Sequence, residues 1–148
     1  MLALVFAAIL TVAFASPTPL YWKPCGGTGK ITSVAAEPCK SKICEIKSGD
    51  NATMYITFTP NVLVNELESQ VYGTVTPFPP EHFPLQNPNC CEDSGLQCPL
   101  KANQTVIYHS TIGVPSGLPE VTVLVTWKLV IPKAKTLIAC FETEVKVT

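Results

Sequence analysis

The sequence predicts an all-β protein, a sandwich of short antiparallel strands. Three observations predict it. Two stretches alternate between facing sets of residues, MYITFT at 54–59 and VTVLVTWKL at 121–129. Clusters of proline and glycine separate the candidate strands at the spacing such sandwiches use. No stretch carries a 3.6-residue period long enough for a helix.

The first candidate strand, residues 30–34, is entered through CGGTGK at 25–30. That hexapeptide superficially suggests a phosphate-binding loop, whose pattern is G-x-x-x-x-G-K-[ST] after a buried strand. Pro24 stands where the first glycine belongs, and Ile31 where the metal-binding hydroxyl belongs. No apolar strand precedes it. The glycines are read as a flexible turn beside Cys25.

The second strand, 54–59, puts Met54, Ile56 and Phe58 on one face and Tyr55, Thr57 and Thr59 on the other. Period-two patterning of this kind marks a strand with one face buried. Residues 62–68 allow a turn of helix at most, and 70–75 is the third strand. Residues 76–88, TPFPPEHFPLQNP, carry five prolines, so they form an irregular loop or an edge. Residues 105–111 are the next strand, and VPSGLP at 114–119 is a second loop. Along 121–129, Val121, Val123, Val125, Trp127 and Leu129 share one face. Residues 137–147 alternate more weakly, with Glu142, Glu144 and Lys146 toward water.

Residues 1–15, MLALVFAAILTVAFA, form an apolar leader without a charged side chain. Ala13 and Ala15 fit the small-x-small rule for cleavage before Ser16, so the leader reads as a signal peptide. One domain, 16–148, follows, and no second apolar run of membrane-spanning length is present in it. The mature protein is expected to be exported, soluble and monomeric. Its seven cysteines then suggest disulfides with one thiol left over. Asn51 and Asn103 head N-x-T sequons and are candidate glycosylation sites. A formal net charge of −1 without a basic stripe argues against nucleic-acid binding.

Little in the sequence suits catalysis. The two histidines are His82, beside Glu81 in the proline-rich loop, and His109 on a strand. No G-x-S-x-G, H-E-x-x-H or C-x-x-C motif occurs. Glu81 and His82 are an acid–base pair in principle, but a solvated loop histidine is the simpler reading. Cys39, Cys44, Cys90, Cys91 and Cys98 leave thiolate metal ligation open as the alternative to bridges, with oxidation favoured by export. Neither a metal nor a cofactor is expected. Phe78 and Phe83 sit between prolines, too apolar for a plain loop. They either plug the edge of the sandwich or line a pocket between its sheets.

Read in order, these pieces resemble the lipid-recognition (ML) family, and within it the Niemann-Pick type C (type two) sterol carriers and their arthropod relatives. The resemblance rests on PCGGTGKITSV, EPCKSKIC, GDNATMYITFTP, VTPFPP, CEDSGLQCPL, VTVLVTWKLV and LIACFETEVKV, and runs from about residue 24 to 147. It implies a seven-stranded immunoglobulin-like sandwich whose sheets splay around a lipid. It implies bridges Cys25–Cys140, Cys39–Cys44 and Cys91–Cys98, leaving Cys90 as the odd thiol. It implies a sterol, a fatty acid or another small apolar ligand, with transient membrane or receptor contact during transfer. The rim it implies is Phe78, Val114 and Leu118, and Phe83 joins it from the same proline-rich loop. Leucine replaces the family's usual tyrosine at 118, which loosens the implied sterol preference. Ile56, Phe58, Val123, Val125 and Trp127 are the candidate walls. The implied compartment is extracellular, or lysosomal after sorting. Two rivals remain: a receptor-docking immune or allergen-like module of the same fold, and a disulfide-rich adhesion domain with a solid core.

Overall fold

The computed structural model describes residues 7–10 and 16–148. The expected signal peptide therefore lies mostly outside the described residues. Among those described, ten strands and no helix occur. They are β1 (Thr18–Pro19), β2 (Lys23–Gly26), β3 (Lys30–Glu37), β4 (Cys44–Ile46), β5 (Asn51–Thr59), β6 (Glu68–Thr74), β7 (Glu81–Phe83), β8 (Val106–Gly113), β9 (Val121–Ile131) and β10 (Thr136–Val147). One sheet has the order β1-β3-β5-β8; the other runs β2-β10-β9-β6-β7, with β4 beside the end of β10. Every pairing is antiparallel except β4 with β10.

The expected sandwich is present, built on six strands of seven residues or more. The other four are edge pieces of two to four residues. A run that short has no period to read. β7 lies inside the proline-rich segment and pairs only with β6, an edge position that prolines on either side tolerate. Residues 62–68 form no helix. Val64 instead exchanges backbone hydrogen bonds with Leu100 at 2.9 and 2.7 Å, so tertiary pairing overrides local preference there.

Along several strands the inward side chains become smaller toward the same end of the sandwich. On β9 the buried Trp127 and Leu129 give way to Val125, Val123 and Val121. On β10 Phe141 gives way to Val145 and Val147, and on β5 Phe58 and Ile56 to Met54 and Ala52. On β3 Val34 gives way to Ala36, and on β6 Val71 to Gly73. The register aligns these gradients: Trp127 lies opposite Phe141 and Val71, whereas Val123 lies opposite Val145. The bulky end is filled. Trp127 stacks on Phe141 at 6.2 Å and meets the edge of Tyr108 at 6.2 Å. Ser69 satisfies the polar atoms of this cluster. Its hydroxyl accepts from Trp127 Nε1 at 3.2 Å and lies 2.6 Å from the Tyr108 hydroxyl.

Three disulfides join Cys25 to Cys140, Cys39 to Cys44 and Cys91 to Cys98, leaving Cys90 as a buried free thiol. Thiolate metal ligation is thereby closed to six of the seven cysteines. Cys90 lies 3.2 Å from the Ser69 hydroxyl, and burial pushes its thiol up to about 11. It is therefore a protonated packing group at neutral pH.

The glycines after Cys25 let backbone pass against backbone. Gly27 has φ +104°, and a Cβ there would stand 2.6 Å from the Ile138 carbonyl oxygen. Gly29 would bring one to 2.9 Å from the Thr59 carbonyl. Both steric space and dihedral exclude a side chain at Gly27. We expect Gly27→Ala to lower unfolding free energy by about 2–3 kcal/mol, from strain plus displacement of the β10 backbone. A denaturation midpoint matching the parent protein would contradict this.

Candidate functional site

Where the side chains shrink, the two sheets no longer fill the space between them. A cavity of about 300 Å³ opens there. That lies at the small end of the range for ligand pockets. The β1-β3-β5-β8 sheet contributes Ala36, Ala52, Met54 and Ile112. The other sheet contributes Val71, Gly73, Val123, Val125, Val145 and Val147. Cys44 and Ile46 of β4 line the side.

Gly73 lines this cavity without a side chain of its own. It pairs with Val125 on one side and Glu81 on the other. An added Cβ would meet Val123 Cγ1 at 3.2 Å, so any side chain here enters the vacant space.

The mouth is formed by β7 and the loop between β8 and β9. Phe83 on β7 and Val114, Pro115 and Leu118 on the loop line it. The turn before β5 fixes this loop. Ser48 Oγ donates to the Pro115 carbonyl at 2.8 Å and accepts from the Leu118 amide at 3.0 Å. Gly49 and Asp50 exchange backbone hydrogen bonds with Val114 at 3.0 and 2.9 Å. Leu118 is thus held at the rim while still 40 % exposed.

Of the candidate site residues, Phe83, Val114, Leu118, Val123 and Val125 come together around this cavity. Phe78 does not line it; its side chain is 67 % exposed on the neighbouring proline-rich turn. Ile56, Phe58 and Trp127 do not line it either. All three face inward, but at the filled end, where they are completely buried. Sequence reasoning passed over Gly73, Ala36 and Ala52, whose small size makes the space. The available signal was the run from large to small along β5, β9 and β10.

Glu81 and His82 do not form an acid–base pair. As strand neighbours they point to opposite faces. His82 meets Tyr72 edge-on at 5.5 Å, and Lys128 lies over the same Tyr72 ring on that face. Glu81 pairs with Gly73 on the cavity side. His109 tilts against Tyr55 at 5.9 Å, away from the cavity. Asn51 and Asn103 are both exposed.

The ML domain family model matches residues 19–147. The chain is 31 % identical over 129 residues to the ecdysteroid-regulated 16 kDa protein of Manduca sexta, covering 85 % of this chain and 88 % of that one. It is 36 % identical over 128 residues to NPC intracellular cholesterol transporter 2 homolog a of Drosophila melanogaster, covering 84 % of each. Among solved structures, a Niemann-Pick type C2 protein from Japanese carpenter ant superposes with a TM-score of 0.77 at 27 % identity. That match covers 87 % of this chain and 100 % of the ant protein.

Proposed function

The chain belongs to the ML domain family, and from that premise we propose that it is a secreted carrier that buries one small apolar molecule between its sheets. The observation carrying this reading is the apolar cavity itself, left by a consistent decrease in side-chain size along several strands. Resemblance to a cholesterol transporter homologue in an insect supports the same class of cargo. The ligand gains about 25 cal/mol for each Å² of apolar surface removed from water. Its polar end stays at the mouth, because burying it without partners is costly.

In this reading Phe83, Val114 and Leu118 grip the ligand near the mouth, and Val123 and Val125 form the wall behind it. Phe78, exposed beside the mouth, serves contact with a membrane or receptor during transfer. The role assigned is binding and delivery, without catalysis, by a monomer. Residues 1–15 are the export signal, and Asn51 and Asn103 carry glycans. Three disulfides suit an extracellular or lysosomal setting.

The test is native mass spectrometry of the protein purified from its source, followed by displacement of a fluorescent apolar probe with sterols and fatty acids. A bound lipid, and displacement by at least one lipid class, is the expected result. Protein that arrives empty and takes up no apolar probe would overturn the carrier reading.

A further inference from the structure

The cavity has one charged side chain in its wall, and that charge is negative. None of the lining residues is lysine or arginine. Glu81 stands on the cavity side of β7, beside the Gly73 gap and in the same row as Val125. The neighbouring His82, which also borders the cavity, packs its ring edge-on against Tyr72. Among the described residues the salt bridge present joins Lys133 to Glu66, so no cation is paired with the Glu81 carboxylate. A ligand whose polar end stays at the mouth would find this carboxylate as the one charged group of the lining that is not a histidine.

A carboxylate can accept a hydrogen bond but cannot donate one while ionised. An alcohol presents a donor, and a hydrogen bond to a charged acceptor is stronger than one between neutral groups. A fatty-acid head brings a second negative charge and finds no cation to balance it. From this geometry we propose that Glu81 is a specificity-determining residue that selects ligands ending in an uncharged hydroxyl over ligands ending in a carboxylate. The proposal rests on the carrier reading and narrows its ligand class. Exposure at the mouth screens the charge, so the expected discrimination is moderate.

The experiment compares ligands that share a hydrocarbon and differ in the head. Oleyl alcohol and oleate form one pair; cholesterol and cholesteryl sulfate form the other. Each competes with a neutral fluorescent probe at neutral pH, in the parent protein, in Glu81→Gln and in Glu81→Lys. In the parent protein the alcohol of each pair should displace the probe at a concentration at least tenfold lower than the anion. Glu81→Gln should shrink that ratio, and Glu81→Lys should invert it. Circular dichroism establishes that each variant is folded, and if the lysine variant is not, the glutamine variant decides. Equal displacement by alcohol and anion in the parent protein, or a ratio unmoved by either substitution, overturns the proposal and leaves the carrier reading intact. Failure of all ligands and of the probe to bind the parent protein overturns the carrier reading as well.

Discussion

Gly73→Leu is expected to abolish lipid uptake while leaving the protein folded. The backbone at Gly73 needs no left-handed conformation, so a side chain is tolerated there. Its Cβ would lie 3.2 Å from Val123 Cγ1, a methyl group that can shift slightly. The isobutyl group beyond it then occupies a cavity of about 300 Å³. Filling a void with hydrocarbon restores contacts that the empty wall lacks, so thermal stability should hold or rise. Binding should fall by more than tenfold, equivalent to over about 1.4 kcal/mol. Probe displacement and a melting curve on the same sample check both halves. Unchanged uptake would mean that the ligand does not sit between the sheets.

The second large effect is expected at the Cys25–Cys140 bridge. It joins residues 115 apart in sequence and fastens β2 to β10 at the filled end. On the loop-entropy account, cross-linking so long a segment removes about 4–5 kcal/mol of freedom from the unfolded chain. The double substitution Cys25→Ala, Cys140→Ala should lower unfolding free energy by about that amount, measured by urea titration. The bridges Cys39–Cys44 and Cys91–Cys98 span only 5 and 7 residues, and their removal should cost less. A loss below about 1 kcal/mol for the long bridge would show that native strain offsets its entropic contribution.

Most of the architecture was legible in the sequence because period-two alternation reports which face of a strand is buried. Residues 54–59 and 121–129 fall inside β5 and β9, with the expected residues turned inward. Alternation does not report how deep along the strand a residue lies. That is why Trp127, Phe58 and Ile56 read as cavity walls, although they fill the closed end. Depth is fixed by register, and register follows from which strands pair, a nonlocal fact. Gly73 was equally silent, since an isolated glycine within a strand candidate carries no alternation signal. The edge strands β1, β2 and β4 were invisible for a simpler reason: each is shorter than the window a period needs, and only the prolines around β7 marked that segment as a loop or an edge.

The position of Trp127 decides how the protein can be observed. Its indole is completely shielded from solvent, its N–H is occupied by Ser69, and Phe141 covers one ring face. These contacts belong to the filled end, whereas Val123 and Val145 mark the end where the cavity opens. With the second tryptophan removed as Trp22→Phe, emission from this indole is expected to follow folding more than occupancy. Loaded and empty protein can be unfolded under the same optical signal, and the difference between the two curves measures the grip on the cargo directly.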